Sequence, residues 1–462
     1  MAGTTTTDTE TGTCRTARQA GSTPPRSGHL GRIVAISLAT GLVVAALLVV
    51  LPVVPVEEAA LTGAVLCGFA TGWAALWLIS SRFSDAPQRW AAVPALFMGV
   101  GGLLLVSFGS PAREALTWVW PPMLLGLVVW MVRRARRDMR GRAGRAQLYV
   151  VFAVLTASAV GGGYEAVGEA TDSSSRPLTG QLVDVGGHRL YLSCLGTGSP
   201  TVILEPGAGG TSSQLGWITP DVAAHTRVCV YDRAGRGWSE PSDSPQDGAQ
   251  IATDLHTLLH NANVPGPYVL AGHSFGGLYV RTFAAHYPDE VAGLVLVDST
   301  ASKEPEKAVV VPLDHSSEEA IGRAPVLASL AARVGVARVL AHTTWGELPP
   351  DSRAEIRTSN AQAGWLSSTI DEYLRAGASA QEAASLHNLG DKPLYVVTAG
   401  RHPDSWMTQQ SKLLALSTNS LQYVVAGAAH IDLLIDQKAA AATSRAILAV
   451  VASARTGQPL TS

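Results

Sequence analysis

The residues best suited to do chemistry form one short run, Gly272-His273-Ser274-Phe275-Gly276-Gly277, with the spacing Gly272-x-Ser274-x-Gly276. A serine hydroxyl attacks a carbonyl only when a base is near and the hydroxyl stands clear of the backbone. A sharp strand-to-helix turn meets the second need, because it holds the serine in a strained conformation and glycines two residues to either side leave room for it. The flanks fit such a turn. Tyr268-Val269-Leu270-Ala271 is apolar and rich in strand formers, and the residues that follow, through Tyr287, have helical periodicity. A helix starting at the serine points its free N–H groups and positive dipole end at any oxyanion that forms. A mere tight turn is the bland alternative, and it does not account for both flanks.

The rest of the chain must position this turn. Its 462 residues suggest two or three domains, and a formal net charge of −2 gives no reason to expect a nucleic-acid partner. The mean hydropathy, +0.19, is high for a soluble enzyme, and the excess lies before residue 170. The cysteines Cys14, Cys67, Cys194 and Cys229 show no CxxC spacing; there is no HExxH and no nucleotide fingerprint, so neither metal nor cofactor is expected.

Residues 1–28 are polar and read as a disordered tail without the layout of a cleavable signal peptide. Residues 29–167 read as a membrane domain of about five helices: Ile33–Val54, Leu61–Ile79, Trp90–Phe108, Leu116–Val132, which contains Pro121-Pro122, and Ala146–Gly163. Arginines gather in three segments that five spans place on one side: Arg15 to Arg32, Arg82 with Arg89, and Arg133 to Arg145. Glu57, Glu58, Arg113 and Glu114 fall on the other. By the positive-inside rule the lipid bilayer is then crossed an odd number of times, and everything after Gly163 lies outside the cytoplasm of a multi-pass cell-membrane protein.

After a linker at 168–180 the texture changes. Strands are expected at Gln181–Val185, Arg189–Cys194, Thr201–Glu205, Arg227–Tyr231, Tyr268–Ala271, Val291–Val297, Pro393–Thr398 and Gln422–Val425, with helices such as Ile251–His260 between them. Alternating strands and helices indicate an α/β fold with a mostly parallel sheet. The alternation stops between Asp298 and Pro393, where helix-like segments such as Glu318–Val334 and Ser352–Arg375 suggest a helical cap at about 301–385.

The globular domain, 181–462, resembles the α/β-hydrolase superfamily over essentially all of 181–455, fused here to an N-terminal multi-span membrane domain. The resemblance is carried by the elbow, by Glu205-Pro206-Gly207-Ala208-Gly209, by Tyr231-Asp232-Arg233-Ala234-Gly235-Arg236-Gly237-Trp238-Ser239, by Leu294-Val295-Leu296-Val297-Asp298, and by a late histidine. It implies Ser274 as nucleophile and His430 as base. Asp404, within Gly400-Arg401-His402-Pro403-Asp404, is the favoured acid, and Asp298, one strand earlier, is the alternative. It implies an oxyanion hole from the N–H of Phe275 and of Ala208, since Pro206 has none. Asp232 and Arg233 take a structural role, His273 one of packing, and His256, His260 and His286 that of surface residues. Cys194 and Cys229 fall in strands that are neighbours in the family's sheet, either bonded or both free. The activity implied is hydrolysis of a small-molecule carboxylic ester through an acyl-enzyme. Amide or peptide hydrolysis by the same residues is the alternative, as is a non-catalytic binding ectodomain.

Overall fold

The computed structural model describes residues 3, 27–51, 54–55, 57–139, 142–173, 180–242, 244–300, 323, 326–330, 332–341 and 346–461. Most of the polar tail, residues 174–179 of the linker and the start of the cap at 301–322 lie outside the described residues.

Among the described residues four helices are long and apolar enough to cross a membrane: α1 (Ser27–Val50), α2 (Glu58–Phe83), α3 (Ala92–Asp138) and α4 (Arg142–Ser173). At 47 residues α3 would measure about 70 Å if straight, more than twice a bilayer's apolar core. It is not straight. Gly109 has φ 57° and ψ −136°, outside the helical region, and the chain folds back there. Phe97 stacks on Trp120 at 4.3 Å between ring centroids, and Trp90 meets Trp130 at 6.4 Å, contacts that only antiparallel halves can make. The described part of the region therefore holds five helical segments. Their ends sort by charge. Gly31 packs by Ala143 and Gly144 at the arginine-rich end, whereas Arg113 pairs with Glu58 at the other.

The globular part is an eight-stranded sheet: β1 (Gly180–Asp184), β2 (Arg189–Leu195), β3 (Thr201–Glu205), β4 (Val228–Tyr231), β5 (Tyr268–His273), β6 (Val291–Val297), β7 (Leu394–Ala399) and β8 (Ser420–Val425). The spatial order is β1-β2-β4-β3-β5-β6-β7-β8, antiparallel over the first three strands and parallel beyond. The central strands are apolar throughout because both faces are covered. Ile203, Leu270 and Leu294 face the helices α6 (Gly248–Asn261) and α7 (Gly276–His286). Their neighbours Val202, Val269 and Val295 pack on the opposite face with Ile447 and Val450 of the last helix, Gln437–Thr456. Cys194 and Cys229 are direct cross-strand partners of β2 and β4 and are joined as a disulfide. Between β6 and β7 the described cap comprises helices Val336–Leu340, Pro350–Ala361, Ala363–Leu374 and Ala376–Ala383.

Candidate active site

β5 ends at His273 and α7 begins at Gly276, so Ser274 sits on the crossing between them with φ +54°, a left-handed conformation costly for a residue with a side chain. The flanking glycines have no substitutes. A Cβ on Gly272 would overlap the backbone of Gly276, and one on Gly276 would overlap the carbonyl of Glu205. A hydrogen bond from Ser274 N to Val297 O, 3.1 Å, ties the turn to the neighbouring strand.

His430 lies in the turn after β8, and its Nδ1 is 2.6 Å from Oδ2 of Asp298. Asp298, at the end of β6, also has a left-handed backbone (φ +45°), which swings its carboxylate toward β7 and β8. The same Oδ2 is 2.6 Å from His402 Nε2, while Oδ1 accepts from Trp406 Nε1 (2.8 Å) and Ala399 N (3.3 Å). Burial alone pushes this carboxyl up. The bonds from His430, Trp406 and His402 outweigh it and hold the group below the usual carboxylate range. An ionised carboxylate can only accept, so Nδ1 of His430 carries the proton and Nε2 is left with its lone pair. The expectation that Asp404 orients the imidazole is corrected here. Asp404 is exposed as the first residue of helix Asp404–Lys412, and Asp298 holds the ring in its place.

His273 is buried behind the elbow, and its Nε2 lies 3.1 Å from the backbone oxygen of His430. Burial, with the nearby His430, lowers its pKa to about 3, so it stays neutral and acts as a donor that fixes the His430 turn.

Among the described residues no protein acceptor takes the N–H of Phe275 or of Ala208, the two expected oxyanion donors. The turn carrying Ala208 is held from below by a buried ionic cluster. Arg233 donates Nη1 to Pro206 O (3.0 Å) and Nη2 to Gly207 O (2.7 Å). It also pairs with Glu205 and, through Nε at 2.7 Å, with Glu372 of cap helix Ala363–Leu374. Glu372 in turn accepts from Gly209 N (3.3 Å) and lies 2.8 Å from Arg236 Nη2. Tyr231 Oη donates to Glu205, whose pKa burial raises to about 6, with Arg233 and Tyr231 pulling the other way. Arg233 thus has the structural role expected of it. The sequence reading missed Glu372, His402 and Trp406. Of these only His402, two residues before the favoured acid in a loop of the right kind, left a local signal.

One group among the described residues has metal-like spacing: the ligand atoms of Asp298, His402 and His430 lie within 4.8 Å of one another. Here the carboxylate accepts from both rings, which satisfies all three without a cation.

A family profile described as alpha/beta hydrolase fold matches residues 200–436, just over half of the chain. A stretch of 219 residues is 30% identical to an uncharacterized protein of Schizosaccharomyces pombe, over 46% of this chain and 39% of that one. A stretch of 74 residues is 38% identical to an uncharacterized vacuolar membrane protein of Saccharomyces cerevisiae, over 16% of this chain and 12% of the other. The chain spans less than half the length of the curated relatives it matches. Among solved structures, a thermophilic esterase from Thermogutta terrifontis aligns with TM-score 0.46 at 20% identity, over 60% of this chain and 99% of that one. An enol-lactonase from Burkholderia xenovorans aligns with TM-score 0.44 at 19% identity, over 59% and 100%. With the elbow, the sheet order and the profile in agreement, this chain belongs to the α/β-hydrolase fold family.

Proposed function

We propose that the protein is a membrane-anchored serine hydrolase that cleaves carboxylic esters through an acyl-enzyme, with its hydrolase domain outside the cytoplasm. The observation that carries the reading is the Asp298–His430 pair, whose imidazole lies 4.5 Å from the ring of His273, the residue before a serine held at φ +54°. In the cycle, Ser274 Oγ attacks the ester carbonyl as His430 Nε2 takes its proton, and Asp298 keeps the imidazole in the tautomer that can do so. The tetrahedral oxyanion is received by the N–H groups of Phe275 and Ala208. Collapse expels the alcohol, which leaves with the proton from His430. Water, deprotonated by the same nitrogen, then releases the acid and restores Ser274. The disulfide and the arginine-rich opposite end of the helical region both favour an oxidising, extracytoplasmic setting for this domain. Hydrolysis of p-nitrophenyl esters of graded chain length beside matched anilides tests the reading. Turnover of esters and not anilides is expected; turnover of anilides alone would move the assignment to amide hydrolysis, and turnover of neither would leave a binding domain.

A further inference from the structure

The first half of the cap is built onto the membrane helices. Gly161 and Gly168 of α4 are seven residues apart, about two turns, and so share a face. A Cβ on Gly161 would overlap Val334 O, and one on Gly168 would overlap the guanidinium of Arg338. Residues 334–338 therefore lie in a slot that only glycines leave open. Charges close the joint. Arg338 Nε is 2.9 Å from Glu165 and its Nη1 2.8 Å from Asp172, while Arg333 Nε is 2.6 Å from Glu58 at the start of α2. Arg323 Nη2 donates to the carbonyls of Leu51 (3.2 Å) and Val54 (3.1 Å), just past α1.

What this joint leaves outside is the wrong way round for water. The short helix Val336–Leu340 tucks its arginine into the protein and exposes Val336 (47%) and Val339 (64%). On α4, Tyr164 and Val167 beside the slot are exposed too, continuing an apolar face from Val150, Val154 and Val160. At the far side of the cap, Tyr373 and Leu374 are exposed, and Tyr373 lies 5.3 Å from the ring of Phe275, next to the nucleophile. Apolar surface thus runs at the membrane end of the domain and again at the mouth of the site, with the cap joining them.

We propose that the docked part of the cap lies in the headgroup layer and that the substrate is a bilayer-resident ester with long acyl chains, which Ser274 takes from the membrane face. This rests on the serine-hydrolase reading and adds the substrate class to it.

The test uses the full chain reconstituted in phosphatidylcholine vesicles that carry a fluorogenic long-chain diacylglycerol, assayed beside water-soluble p-nitrophenyl acetate. The double variant Val336→Asp, Val339→Asp should lose about tenfold or more on the vesicle-borne ester, because two carboxylates resist the apolar layer, and change less than about twofold on the soluble one. Equal retention of both activities overturns the inference, as does a wild type that cleaves only the soluble ester. A wild type that cleaves neither removes the hydrolase reading itself. Should the double variant lose both, a milder one decides: Val339→Cys, in a Cys14→Ser, Cys67→Ala background, labelled with an environment-sensitive nitrobenzoxadiazole. Emission shifted to the blue in vesicles supports the inference, and emission as in water overturns it.

Discussion

Glu372 offers the sharpest perturbation, because one cap carboxylate holds both the buried cluster and the turn proposed to receive the oxyanion. It is 1% exposed and faces Arg233 and Arg236, themselves 2% and 0% exposed at the side chain. Glu372→Gln keeps the shape, removes one negative charge from a buried cluster of two arginines and two glutamates, and leaves Arg236 without an ionic partner among the described residues. Breaking a buried pair from one side costs about 3–5 kcal/mol of stability. The turn should also shift, since Gly209 N loses a charged acceptor and Arg233, which holds the Pro206 and Gly207 carbonyls, loses an anchor. Loss of a whole oxyanion donor costs about 10²–10³ in kcat, so a displaced turn should cost roughly tenfold to a hundredfold, with KM little changed. The assay is ester hydrolysis normalised to active sites titrated with a fluorophosphonate. The pair Glu372→Gln, Arg236→Met restores the charge balance and should recover much of the melting temperature while kcat stays low. Unchanged kcat per titrated site in Glu372→Gln would refute the positioning role.

Other outcomes follow from the same contacts. Asp298→Asn should lower kcat on the order of 10⁴-fold by favouring the wrong imidazole tautomer. Asp404→Asn, exposed and making no hydrogen bond to the ring among the described residues, should stay within about twofold in the same assay. His273 ties stability to pH. The unfolded chain takes up its proton near pH 6.5 and the folded one only near 3, so the contribution of His273 to stability falls as pH drops below 6.5, by up to about 1.4 kcal/mol per unit. Asp298, held below its usual range, adds to the loss at lower pH still. Glu205, raised to about 6, and Glu382, raised to about 7, act in the opposite sense over this window, so the His273 slope is read as the difference between wild type and His273→Gln in melts at pH 6.5, 5.5 and 4.5. A C-terminal alkaline phosphatase fusion should be active and a cytoplasm-dependent reporter at the same site silent; the reverse pattern would place the hydrolase domain inside the cell.

What was legible from residue order was whatever local sterics or periodicity dictates. Gly272 and Gly276 announce the elbow because nothing larger fits, and Thr201–Glu205 and Val291–Val297 announce buried strands because apolar residues fill both faces. Gly109, between two apolar runs, is where α3 folds back. The acid was not legible. Asp298 and Asp404 both follow parallel strands, and the choice turns on a left-handed backbone at Asp298 and on donors from His402 and Trp406, more than a hundred residues away in the chain. Glu372 was hidden for the same reason. Its partner Arg233 is 139 residues distant, and a carboxylate on a cap helix looks like any solvated charge until the helix is docked.

The central claim is that Ser274 is the nucleophile of an ester hydrolase. Its most direct test is fluorophosphonate labelling of the wild type and of Ser274→Ala, with p-nitrophenyl ester hydrolysis measured on the same samples. Stoichiometric labelling of the wild type alone is expected, with a fall in hydrolysis on the order of 10⁶-fold in the variant. Equal labelling and equal hydrolysis in both proteins would contradict it.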